Sequence, residues 1–246
     1  YNRSLVKIAA IWESRLDGLL EESVFGNLLE LILSLPDRIL HGSMVGTVFQ
    51  GFASRWTPIL LGFTCLVLLS VPYESWNNTY SLYMLIAVLL LTLLSRQRRF
   101  SIREIGFWPV AFAVVTFGSA YWSSNPGASS RFLVFALSCA LGVILCVAAA
   151  DTPEKLLRVF LFVALGLLVC CGYGVLQKLE GIEPNYHFTD LTANAKMPGR
   201  VYSFFDNPNS FADIPVLFAP VMLALFCYSP KLWQRLGFGL AFLLSS

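Results

Sequence analysis

The amino-acid sequence predicts an all-α, polytopic integral membrane protein, and three observations carry that prediction. Of 246 residues, 57% are hydrophobic and 13% charged, with a mean hydropathy of +0.68, whereas about a quarter of residues are charged in soluble domains. A hydrocarbon core about 30 Å thick takes roughly 20 apolar residues per spanning helix, and six such runs follow one another before the start of a seventh. The connections between them are short and alternately rich and poor in lysine and arginine, the pattern of a chain threading back and forth under the positive-inside bias.

The same composition excludes other classes. A net charge of +2, with the basic residues dispersed along the chain, argues against a nucleic-acid partner. All six cysteines (Cys65, Cys139, Cys146, Cys170, Cys171, Cys227) fall inside apolar runs without zinc-ligand spacing, where a small polarisable side chain serves packing. No metal site is read from the sequence.

Residues 1–55 form a first, cytoplasmic segment. Leu5, Ile8, Trp12, Leu16 and Leu19, then Val24, Leu28, Leu31 and Leu35, recur at helical spacing between charges. They predict one or two amphipathic helices on the inner membrane face. Residues 1–40 carry four basic side chains against six acidic ones, so attraction to anionic lipid is weak, and packing against the rest of the protein is an equally open reading.

Residues 56–246 form the membrane domain. Its predicted spans are 56–73, 79–95, 105–122, 132–150, 159–176 and 208–228, with a truncated seventh from about 236. Pro58, Pro109, Pro215 and Pro220 fall within spans, where neighbours can satisfy the freed carbonyls, and Gly166, Gly172 and Gly174 allow close helix approach. The chain opens on Tyr1 and stops at Ser246 inside an apolar run; it reads as a fragment that continues beyond 246.

Counting lysine and arginine by side gives 13 against 4, which puts the N-terminus in the cytoplasm and Arg200 on the outer side. The chain contains two histidines, His41 and His187. Each falls in a connection, and neither has the neighbouring ligands or carboxylates that a metal site or a nucleophile triad requires.

The chemistry concentrates in GRVYSFFDNPNSFADIP, residues 199–215. Asn207 followed by Pro208 is an N-cap and first-turn pair, because the amide oxygen accepts a free backbone N–H and proline takes a position whose N–H would be orphaned. The span beginning there points its first-turn N–H groups and the positive end of its dipole at the outer interface, as an anion site does. Arg200 can add a guanidinium fork to the same oxygens. Two readings stay open on the residues alone: a diphosphate clamp, or an interfacial arginine beside the belt aromatics Tyr202, Phe204 and Phe205 with Asn207 as a plain cap.

The run RVYSFFDNPNSFA, residues 200–212, resembles the signature of the O-antigen ligase family of bacterial polytopic membrane proteins. In that family an arginine and an aromatic-rich step precede N-P-N at the start of a span. The wider superfamily includes O-antigen and polysaccharide polymerases and proteins classed as inorganic-carbon transporters. The resemblance covers about a dozen residues sharply and implies transfer of a glycan from a polyprenyl-diphosphate carrier to an acceptor, in the bilayer, without cofactor, nucleotide sugar or metal. It implies lipopolysaccharide or related cell-envelope polysaccharide synthesis in the bacterial cytoplasmic membrane.

Carried over by position, Arg200 becomes the diphosphate ligand, with Asn207 and Asn209 beside it, Pro208 the structural helix start and Tyr202 a glycan or lipid contact. The family's catalytic histidine has no counterpart here; its loop would lie downstream of Ser246, His187 does not match it, and the fragment alone is expected to be inactive. Asp213 departs from the family pattern. An acid inside a span is a functional candidate, yet near a helix N-terminus it is also favoured by the dipole. It is read first as structural, pairing with Arg200 when no anion is bound, with catalysis as the alternative. The rival function from another class is a transporter of bicarbonate or a similar anion, because a helix N-terminus plus arginine also holds anions in carriers.

Overall fold

The computed structural model describes residues 2–40, 43–95, 105–150, 152–182 and 199–246. The described residues are helical, without strands: α1 (Asn2–Glu22), α2 (Val24–Leu40), α3 (Met44–Ser70), α4 (Asn78–Ser95), α5 (Phe107–Tyr121), α6 (Pro126–Ala149), α7 (Pro153–Glu180), α8 (Pro208–Tyr228) and α9 (Leu232–Ser245), with a single 3-10 turn at Tyr73–Ser75. Among the described residues four helices are long and apolar enough to cross a membrane: α3 over Gly46–Ser70, α6 over Gly127–Ala149, α7 and α8. The six predicted spans are therefore matched by four helices of full length. α4 has an apolar stretch of Thr79–Leu93, and α5 extends only from Phe107 to Tyr121, about 22 Å at 1.5 Å per residue.

The chain divides into two compact units: Tyr1–Leu61 with Asn78–Leu156, and Gly62–Asn77 with Leu157–Ser246. In the first, α6 packs on α4 and α5, α2 on α1 and α4, and α1 on α5. Val88 and Leu145 are fully buried there. The expected N-terminal helices are present. On α2 the side chains Val24, Phe25, Leu28, Leu31, Ile32 and Leu35 are exposed and recur along one stripe, the face such a helix offers to lipid. Leu20 of α1 turns inward instead, onto Ile105 and Ala148. The described part of the first connector differs from expectation: Ser43 caps α3, its Oγ accepting from Gly46 N at 2.8 Å, so residues 44–55 continue without a break into the first long helix.

α5 starts in an unusual way. Gly106 precedes it at φ +84° and gives no side-chain cap. Asp17 of α1 supplies the missing acceptor, its Oδ1 taking the Phe107 N–H at 2.7 Å. A carboxylate from 90 residues away thus sits on the positive end of the α5 dipole. Pro109 lies in the first turn of α5, where proline costs no helical hydrogen bond, so it does not kink a span. Pro58, Pro215 and Pro220 do lie inside helices.

The second unit is built on α7, the most buried of the four long helices, while α8 is the least. Val163, Ala164, Leu167, Cys170 and Cys171 of α7 pack with Leu69 of α3, Met222 of α8, and Phe238 and Ala241 of α9. Close approach is seen at two of the three glycines singled out by sequence. A Cβ at Gly166 would lie 2.9 Å from Leu69 Cδ1, and one at Gly174 would lie 3.0 Å from the Phe211 ring. Gly172 faces open space, so its predicted close approach is not seen. α7 ends at Gly181, whose φ of +83° is the left-handed geometry that closes a helix C-terminus.

Candidate functional site

The start of α8 follows from local sequence. Asn207 is extended at φ −138° and ψ 133°, Pro208 is the first helical residue, and the Asn207 Oδ1 accepts the Asn209 N–H at 2.8 Å. The first helical bond, from Phe211 N to Asn207 O at 3.1 Å, closes the turn. Both prolines and apolar residues then carry the helix to Tyr228.

Arg200 reaches this start. Its Nη2 donates to the Asn209 Oδ1 at 2.8 Å, so Asn209 links the guanidinium to the first turn of the helix. Arg200 and Asn209 are both exposed. The expected Arg200–Asp213 pair is absent among the described residues. Asn209 and Asp213 are one turn apart on the same face, and Asn209, nearer the helix start, meets the guanidinium first. Asp213 is itself exposed.

The segment leading from Arg200 to Asn207 is tied to α7 by a set of contacts that sequence reading missed. Ser203 is buried and stands at φ +51°, a left-handed conformation uncommon for a residue with a side chain. Its N–H donates to Gln177 Oε1 at 2.8 Å, and Gln177 Nε2 donates back to the Ser203 carbonyl at 3.3 Å. The Ser203 hydroxyl donates to the Cys170 carbonyl at 2.6 Å. A glutamine side chain here does what a paired strand would do, satisfying both backbone groups of one buried residue.

Aromatic contacts complete the tie. Tyr173 of α7 stacks on Phe204 with centroids 4.6 Å apart and planes 2° from parallel. Phe205 stacks on Phe211 at 6.2 Å, and Tyr73 N donates to the Phe204 carbonyl at 2.9 Å. The Tyr73 phenol is held above the usual tyrosine range, first by lost solvation and then by the Glu74 and Asp206 carboxylates. Tyr202 is half-buried, and its carbonyl accepts from Phe205 N at 2.9 Å.

These elements frame an open depression of about 480 Å³ lined by Lys178, Gly199, Arg200, Val201, Pro208, Phe211 and Ala212. Gly174 makes it possible, since Val201 and Phe211 press against α7 where a Cβ would stand 3.1 and 3.0 Å from them. Chemically, the depression brings a guanidinium, an ammonium and the N-terminal end of a 21-residue helix to one surface. It can bind an anion. Among the described residues, no group of three or more His, Cys, Asp or Glu side chains is placed to hold a metal ion. His187 and His41 lie outside the described residues.

Gln177 and Ser203 carried weak signals in the sequence. Gln177 is a lone amide near the end of an apolar run, and Ser203 sits between aromatics, but the 26 residues separating them hide the pairing. No family model, no curated protein and no solved structure matches the chain, so the O-antigen ligase resemblance rests on residues 200–212 alone.

Proposed function

We propose that this protein is a membrane glycosyltransferase of the O-antigen ligase type, which moves a glycan from a polyprenyl-diphosphate carrier to an acceptor. One observation supports this reading above the others: the Arg200 guanidinium is bonded to the first turn of α8 at Asn209 and shares an open depression with Pro208. In the transfer, the acceptor oxygen forms a bond to the sugar's anomeric carbon as the bond from that carbon to the diphosphate oxygen breaks. The electron pair leaves on the diphosphate, and the acceptor's proton goes to a base. Negative charge grows on the diphosphate, where a fixed guanidinium and the positive end of the α8 dipole lower the barrier most.

In this reading α3 to α8 cross a bacterial cytoplasmic membrane as six spans, and the shorter α5 is accommodated by local thinning of the bilayer. The N-terminus is cytoplasmic and the start of α8 faces outward, which the division of basic residues, 13 against 4, supports. Single cysteines at Ser124 and Asn194, on a background lacking the native six, should label with a membrane-impermeant reagent in intact cells. One at Ser101 should not, and labelling of the reverse set would overturn the orientation. The uninterrupted run of α8 from Pro208 to Tyr228 favours this reading over an anion carrier, whose sites are built on broken helices.

The test is glycan transfer from a lipid-linked donor, in membranes carrying matched amounts of the full-length protein. A lost charge-assisted contact is worth about 1.5 to 3 kcal/mol, so Arg200→Ala should lower transfer roughly tenfold to a hundredfold. Arg200→Lys keeps the charge without the fork and should fall between. Normal transfer by both variants would return Arg200 to the role of an interfacial anchor.

A further inference from the structure

We infer that Lys178 is a second cation of the α8 depression and that, with Arg200, it makes the site prefer an anion with two linked phosphoryl groups over one with a single phosphoryl or carboxylate group. The inference rests on the proposed anion-binding role of the α8 start. It goes further by naming a residue on another helix and a basis for selectivity.

Three observations carry it. Lys178 comes from the last turn of α7 and Arg200 from the segment before α8, yet both line the same depression. Two like charges facing one cleft repel each other, and an anion between them removes the repulsion. Among the described residues no carboxylate pairs with either side chain, and the bond recorded for Arg200 goes to a neutral amide.

The second observation is registration. Gln177, the residue just before Lys178, is the one that grips both backbone groups of Ser203, three residues beyond Arg200. Adjacent positions of α7 therefore divide the work, Gln177 fixing the arginine's segment and Lys178 reaching the depression. The stacked Tyr173–Phe204 pair and the Ser203–Cys170 bond tighten the same junction. The backbones carrying the two cations are thus set by the fold.

The third observation is charge matching. Counting the residues that line the depression, a guanidinium and an ammonium with the roughly half charge of a helix N-terminus exceed what a carboxylate or bicarbonate can neutralise. They suit the several charges of a diphosphate, one phosphoryl group toward Arg200 and the helix start and the other toward Lys178. A monophosphate can satisfy only the first of these.

The experiment titrates the purified full-length protein in detergent with farnesyl diphosphate and with farnesyl monophosphate. Wild-type protein should bind the diphosphate more tightly. Lys178→Gln should weaken diphosphate binding about tenfold while leaving monophosphate binding within about twofold, so that the preference collapses, and Lys178→Arg should restore it. Lys178 is exposed, so unchanged melting and elution profiles should accompany both variants. If Lys178→Gln keeps the full preference while Arg200→Ala weakens both probes, Lys178 merely complements the C-terminal dipole of α7 and the inference fails, although the reading of Arg200 stands. If the wild type binds neither probe, both fall together.

Discussion

Two helix starts in this molecule, α5 and α8, solve the same electrostatic problem in opposite ways. At α5 the chain supplies its own anion, the Asp17 carboxylate, which takes the Phe107 N–H at 2.7 Å. At α8 the cap is a neutral amide, Asn207 on Asn209, and the charged residues lining the depression beside it are Arg200 and Lys178, with the Asp206 and Asp213 carboxylates outside that lining. A helix N-terminus attracts negative charge wherever it occurs, so the dipole alone does not distinguish a site from a scaffold. The difference lies in what the surrounding sequence brings. One start is neutralised from within the fold, and the other gathers positive charge around an open surface.

The strongest way to break this comparison is to loosen the α8 side. Gln177→Leu leaves the N–H and carbonyl of buried Ser203 without partners, each worth about 1 to 3 kcal/mol. The variant should lose several degrees of melting temperature and most glycan transfer. Gln177→Glu keeps an acceptor for the Ser203 N–H but not a donor for its carbonyl, and should fall between wild type and Gln177→Leu. Wild-type melting of Gln177→Leu would mean that the segment from Arg200 to Asn207 is held by its aromatic contacts alone.

A smaller effect is expected on the α5 side. Asp17→Ala removes the acceptor at the Phe107 N–H and should cost about 0.5 to 2 kcal/mol, the usual worth of a cap. Asp17→Asn retains an acceptor and should cost less. Neither variant should alter binding of farnesyl diphosphate, since Asp17 belongs to the other compact unit. A loss of binding in Asp17→Ala would show that the two starts are coupled, and the contrast drawn between them would fail.

Sequence reading reached the parts of this account that depend on local pattern. The Asn207–Pro208 start was legible because a cap needs only its own few residues, and the long apolar helices were legible because lipid imposes a length. The α5 cap was not, because Asp17 and Phe107 are 90 residues apart and nothing in the sequence links them. The same holds for Gln177 and Ser203. Arg200's partner was misassigned for a different reason: opposite charge made Asp213 attractive, while proximity to the helix start favours the uncharged Asn209 one turn earlier. Among the described residues four of the six predicted spans meet helices long and apolar enough to cross a membrane, because hydropathy marks apolar runs without fixing where a helix begins. Gly106 at φ +84° delays α5 until Phe107.

The central claim is that the α8 start, with a neutral cap and two cations in the depression beside it, takes its anion from outside, and replacing Asn209 tests it most directly. Asn209→Asp places a carboxylate at the first turn of α8, beside Arg200, and so gives α8 the arrangement that Asp17 gives α5. The account predicts that farnesyl diphosphate binding falls tenfold or more in this variant, while melting temperature holds or rises as the new carboxylate meets the guanidinium and the dipole. Wild-type affinity for the diphosphate in Asn209→Asp would contradict it, because a start already filled from within would still be taking an anion from outside.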